Sequence, residues 1–361
     1  MTRMKWKGAL AALMAGWMVC AGAWAGVGQT ELWAGDENPV TLFYPTDAAG
    51  RPERRLFGSF EIAVDAPPRA GNGRLVVISH GSGGSPWVHF TLARSLVEAG
   101  YVVASPRHHA DNYRNDSKPG PESWTRRPAE VSDAIDAVAA DARFAPLLDL
   151  RQVGAYGMSA GGHTALSLAG GRWSPALFYR HCEANLAEDF NACVGLATRL
   201  TGGWADGLKK WVATRVLHAY FAGDQQLREH HDPRITAVVA AVPAAADFDP
   251  ASLAQPSAAL ALLTAREDTW LHPRFHADRI LAACLPRCEL LAELKTGGHG
   301  AYLSPLPPGL TGLVGQLIND PPGFDRATEV PAVEARIVDF FDRKLRAGFR
   351  ADGPSAARGK D

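Results

Sequence analysis

Gly157-Met158-Ser159-Ala160-Gly161 stands directly behind the short apolar run Gln152-Val153-Gly154-Ala155-Tyr156 and ahead of a helix-compatible run over 162–169. Strand, G-x-S-x-G and helix in that order predict a sharp turn that lifts a serine hydroxyl above the edge of a sheet. The glycines at 157 and 161 fit this reading, because a Cβ at either place would strike the neighbouring strand or helix. The five residues alone are a common string; their flanks give them meaning.

Outward from this turn, apolar runs alternate with helix-like stretches, which predicts repeated strand–helix units and a mostly parallel sheet with helices on both faces. Eight strands are expected, at 39–45, 56–64, 74–79, 101–105, 152–156, 235–242, 258–264 and 289–294, the first two as an antiparallel opening pair. Helices are expected at about 86–99, 129–140 and 330–347. From about 171 to 232 the alternation stops. That stretch holds two cysteines and several tryptophans but no clear strand, and reads as a cap inserted over the site. The rest is one domain, 26–350, followed by a small polar tail, 351–361, expected to be disordered.

The first 25 residues read as a signal peptide: Arg3, Lys5 and Lys7, then an uncharged apolar run, then Ala23-Trp24-Ala25. The run is short for a membrane span. Cleavage after Ala25 removes three positive charges and takes the formal net charge from −1 to −4. No basic stripe remains to attract nucleic acid. Export to the periplasm or beyond makes disulfides available to Cys182, Cys193, Cys284 and Cys288. Three connectivities are open, and the sequence-local one, Cys182–Cys193 with Cys284–Cys288, is preferred.

A serine hydroxyl is a weak nucleophile until a base takes its proton, and that base must be oriented by an acid. Downstream of Ser159, His299 in Gly297-Gly298-His299-Gly300 follows the last strand and is the candidate base. Asp268 follows the strand 258–264 and is the candidate acid; Asp247, with Asp249 near it, follows the preceding strand and is the runner-up. The loop His80-Gly81-Ser82-Gly83-Gly84 would supply the Ser82 N–H to an oxyanion, with the Ala160 N–H as second donor. His80, Gly81, His108 and His109 could line the pocket, though a loop histidine pair such as His108-His109 is more often structural. His163, one turn beyond the serine, is expected to pack beneath it. His230-His231, His272 and His276 form no recognisable metal set, and none is expected. Trp173, Trp204 and Trp211 either wall the pocket or pack within the cap.

In their order along the chain, these motifs resemble the α/β-hydrolase superfamily. The resemblance is nearest to bacterial dienelactone-hydrolase-like proteins related to platelet-activating-factor acetylhydrolase. Pro106-Arg107-His108-His109, Trp124-Thr125-Arg126-Arg127-Pro128 and Pro321-Pro322-Gly323-Phe324-Asp325-Arg326-Ala327 extend it over nearly the whole mature chain. The resemblance implies cofactor-free hydrolysis of a small-molecule or lipid-like ester through an acyl-enzyme. Phospholipase-like or polyester-cleaving activity would use the same machinery, and a catalytically silent binding protein would keep only the fold. True dienelactone hydrolases carry a cysteine where Ser159 stands, so the name does not guide the substrate. The acetylhydrolase relatives place their acid after an earlier strand, which keeps Asp247 in play.

Overall fold

The structure is a computed structural model that describes residues 26–346 apart from 36, 37, 56, 57, 306 and 308. The expected signal peptide and C-terminal tail lie outside the described residues.

The strands are β1 (Gly26–Ala34), β2 (Asn38–Thr46), β3 (Arg51–Arg55), β4 (Gly58–Val64), β5 (Leu75–Ser79), β6 (Val102–Pro106), β7 (Val153–Met158), β8 (Arg172–Trp173), β9 (Ile235–Ala241), β10 (Phe248–Asp249), β11 (Ala259–Ala265) and β12 (Cys288–Leu294). Ten of them form one sheet in the order β12-β11-β9-β7-β5-β6-β2-β1-β4-β3, and β8 pairs with β10 apart from it. The six from β12 to β6 run parallel, and β2 joins β6 antiparallel.

Ten strands replace the expected eight. The sequence reading misses β1, whose glycines and Gln29 obscure its pattern; a nine-residue antiparallel register with β2 makes it a strand. It also misses the charged β3, which pairs only with β4 at the sheet edge, where Pro52 and the arginines are tolerated.

The helices are α1 (Phe90–Glu98), α2 (Pro121–Ala140), α3 (Ala160–Leu168), α4 (Pro175–Asn185), α5 (Phe190–Val194), α6 (Asp206–Phe221), α7 (Ala277–Cys284), α8 (Gly312–Ile318) and α9 (Arg326–Leu345). α1 and α9 cover one sheet face and α2, α3 and α7 the other. The central strands are therefore buried on both sides and read as continuous apolar runs. Val76 and Ile78 enter one core, Leu75 and Val77 the other. α2 begins eight residues earlier than expected, because Pro121 stands in its first turn and Pro128 is accommodated inside it.

The stretch 171–232 is mainly helical, with a small core of its own around Phe178, Cys182, Phe190 and Leu217. It is not strand-free: Trp173 of β8 pairs with Phe248 and bridges to Arg228. The disulfides are Cys182–Cys193, joining α4 to α5, and Cys284–Cys288, joining α7 to β12. Trp173 is buried, whereas Trp204 in the turn before α6 and Trp211 on α6 are 94% and 59% exposed. None of the three lines the cavity beside His299.

Candidate active site

β7 has parallel neighbours on both sides, so Ser159 emerges at the carboxyl edge of the sheet beside the loop that follows β5. Its backbone is left-handed, φ 59° and ψ −118°, a strained conformation for a residue with a side chain. The turn is that tight because a Cβ on Gly157 would come within 1.8 Å of the Gly161 carbonyl oxygen, and one on Gly161 within 1.9 Å of the Ser79 oxygen. Ala160 is the first residue of α3, so its N–H is one of the donors a helix leaves without an internal partner.

His299 arrives on a short turn, His299–Tyr302, after β12. Its Nε2 lies 3.0 Å from Ser159 Oγ, and its Nδ1 lies 2.7 Å from Asp268 Oδ2. The other Asp268 oxygen accepts the backbone N–H groups of Trp270 and Leu271 at 2.8 and 2.9 Å. Both side chains are buried. A carboxylate held this way takes the Nδ1–H, leaving Nε2 free to accept from the serine hydroxyl. Arg326 fixes the histidine turn from α9: it donates to the carbonyls of Gly300, Ala301 and Leu303 and pairs with Asp320.

Asp247 goes elsewhere. Its Oδ2 lies 2.9 Å from His163 Nε2, and the His163 ring is enclosed by Trp124, Trp173 and Phe248. Asp249 caps the turn after β10 through the Ala251 N–H.

Ser82 and Gly81 are on the loop facing the serine: a Cβ on Gly81 would sit 3.4 Å from Ser159 Cβ. Beneath the loop, His80 and His108 are fully buried and do not face a pocket. Their burial corrects the pocket-lining expectation, and it follows from polar partners inside the core. His108 lies 2.8 Å from Ser79 Oγ through Nε2 and 2.6 Å from Glu130 Oε2 through Nδ1, while His80 Nδ1 reaches the Gly81 carbonyl at 2.8 Å. Burial pushes both imidazoles well below their ordinary value, so both are neutral. Half-buried His109 gives its backbone N–H to Glu130.

Sequence reasoning also misses Arg127 and Asp111, a fully buried ion pair at 2.8 Å. Burial alone would raise the Asp111 carboxyl. The Arg127 guanidinium and hydrogen bonds from Ser82, Ser123 and Gly83 instead hold it well below the usual carboxylate range. The signal for Arg127 and Arg326 was present, since each lies in a motif quoted for the resemblance but given no role.

A cavity of about 850 Å³ opens beside His299. Trp270, Phe190 and Leu200 give it apolar surface, and Asn191, Arg199 and Gln316 give it a polar wall. Among the described residues, no group of histidine, cysteine and acidic side chains is arranged to hold a metal ion, and no helix is long and apolar enough to cross a membrane.

No protein-family model matches the chain, and no curated protein matches its sequence. Among solved structures it is similar to a ferulic acid esterase from Streptomyces cinnamoneus, with a TM-score of 0.55 and 16% identity over 94% of this chain and 95% of that one. That is a likeness of fold. Together with the parallel sheet, its helices on both faces and the strand–turn–helix at Ser159, it shows that the chain has the α/β-hydrolase fold.

Proposed function

We propose that the protein is an exported serine hydrolase of carboxylic esters, working through Ser159, His299 and Asp268. The observation that carries this reading is the unbroken hydrogen-bonded line from Ser159 Oγ through His299 to Asp268.

Ser159 Oγ attacks the ester carbonyl carbon while His299 Nε2 takes its proton. Asp268 keeps the imidazole in the required tautomer and stabilises the imidazolium. The carbonyl oxygen, now negative, accepts from the N–H groups of Ser82 and Ala160. Collapse expels the alcohol, protonated by His299, and leaves an acyl group on Ser159. Water activated by the same histidine then releases the acid. The steps need no cofactor. Kinship with the dienelactone-hydrolase-like and acetylhydrolase-related proteins belongs to this proposal, as does export through cleavage after Ala25.

The cavity beside His299 favours a small ester with polar or aromatic groups over a long aliphatic chain. Its volume suits a drug-sized molecule, and Trp270 and Phe190 offer aromatic surface beside the polar side chains of Arg199, Gln316 and Asn191.

Hydrolysis of p-nitrophenyl esters by wild type and Ser159→Ala tests the reading. A loss of several orders of magnitude in the variant is expected; equal turnover by both proteins would overturn it. A panel of aromatic, short-chain, long-chain, phospholipid and polyester substrates tests the preference, with the aromatic and short-chain members expected to lead.

A further inference from the structure

The loop from His80 to Gly83 is fixed from below by one face of α2. Ser123, Arg127 and Glu130 stand at i, i+4 and i+7 and are all buried. Arg127 donates through Nη1 to the His80 carbonyl at 2.5 Å and through Nη2 to the Gly81 carbonyl at 3.4 Å. Nη2 also meets Asp111 Oδ2 at 2.8 Å and its carbonyl at 3.2 Å, while Nε meets Ser123 Oγ at 2.8 Å. Asp111 Oδ1 in turn accepts the Ser82 hydroxyl at 2.6 Å and the Gly83 N–H at 3.0 Å. Ala110, the residue before it, is left-handed at φ 54°, a conformation kept only where the surroundings impose it.

We propose that the Arg127–Asp111 pair is the positioning device of the oxyanion hole, holding the peptide between Gly81 and Ser82 in the orientation that presents the Ser82 N–H to the substrate. This rests on the esterase reading. In a planar trans peptide the carbonyl of one residue and the N–H of the next point in opposite directions. The Gly81 carbonyl is engaged by Arg127, by His80 Nδ1 and by the Gly84 N–H at 3.0 Å. Fixing that oxygen below the loop fixes the Ser82 N–H above it, on the residue next to the glycine that abuts Ser159.

A buried ion pair is a poor device for stability alone, since apolar residues of equal volume do as well or better. Apart from Ser123 and the pair itself, every hydrogen bond of these two side chains ends on residues 80–83. Such a pattern serves orientation. A lysine at 127 would keep the charge but could not reach two carbonyls and a carboxylate at once.

The test compares Arg127→Lys, Arg127→Met/Asp111→Asn and Ser159→Ala with wild type on a p-nitrophenyl ester and on its thionoester, whose sulfur is a weak acceptor and gains little from an oxyanion hole. Thermal unfolding accompanies each assay. The double variant removes both buried charges together, so it is expected to fold. Its kcat on the ester is expected to fall about a hundredfold with KM changed only a few-fold, and the ester-to-thionoester rate ratio to fall with it. Arg127→Lys is expected to do the same. A purely structural role would lower the unfolding temperature and leave the ratio alone. A folded double variant with wild-type kcat and an unchanged ratio would overturn the positioning role, while Ser159→Ala stays inactive. Equal turnover by wild type and Ser159→Ala would overturn the esterase reading and this inference together.

Discussion

Asp247 Oδ2 lies 2.9 Å from His163 Nε2, which commits to the floor of the elbow a carboxylate that the chain order also offers to His299. His299 has its own partner in Asp268, 2.7 Å from Nδ1. Replacing each aspartate should therefore separate two roles. Asp268→Asn removes the acceptor that sets the tautomer, and kcat is expected to fall by about 10⁴ at an unchanged fold. Asp247→Asn is expected to keep kcat within a few-fold and to lower the unfolding temperature, because it weakens a buried hydrogen bond of about 1–3 kcal/mol. Steady-state kinetics with thermal unfolding on both variants checks the pair.

Gly157 and Gly81 should respond differently to one added methyl. At Gly157 it meets backbone at 1.8 Å, which nothing can yield to, and Gly157→Ala is expected to give little folded protein. At Gly81 it meets Ser159 Oγ at 3.9 Å, an ordinary contact, but within the space an attacked carbonyl must occupy. Gly81→Ala is expected to keep the wild-type unfolding temperature and lose activity. Soluble yield and kcat/KM distinguish the two.

Cys182–Cys193 spans 11 residues and encloses Asp189, which bonds His181 within the insertion at 2.8 Å and His276 outside it at 3.1 Å. Replacing both cysteines by alanine should cost about 2–3 kcal/mol, felt first in the insertion because the loop is local. Limited proteolysis is expected to cut between α4 and α6 in that variant while the sheet domain survives.

Acid should destabilise the fold through its buried histidines. His80, His89 and His108 are buried, and burial lowers all three from an unfolded value near 6.5, His89 to about 4. Below pH 6.5 the unfolded chain binds protons that the folded chain refuses, so stability falls as pH drops toward 4. Each ring contributes a slope of up to about 1.4 kcal/mol per pH unit. His89 packs edge-on against Tyr156. In His89→Leu the fall in unfolding temperature between pH 7 and pH 5 is expected to be shallower than in wild type.

The parallel strands were legible because burial on both faces leaves no polar alternation, and β5, β7, β9 and β11 stand where their apolar runs predict. The charged edge strand β3 and the glycine-bearing β1 were not, since partners rather than composition make them strands. The tryptophans of the insertion stayed open between two roles for a related reason. A sequence counts aromatic residues but does not say which way they face, and Trp204 and Trp211 lie outward while Trp270 lines the cavity.

The elbow could be read from the sequence because its constraints are local: two glycines a carbonyl's width from backbone, a strand before and a helix after. The identities of a histidine and an acid at later strand ends followed from chain order. Which of two aspartates meets that histidine, and which arginines hold the loops around the serine, were decided only in the folded chain. A carboxylate at 247 or 268 and an arginine at 127 or 326 act across distances that the sequence does not contain; packing of α2, α3 and α9 against the sheet sets those distances to hydrogen-bond length.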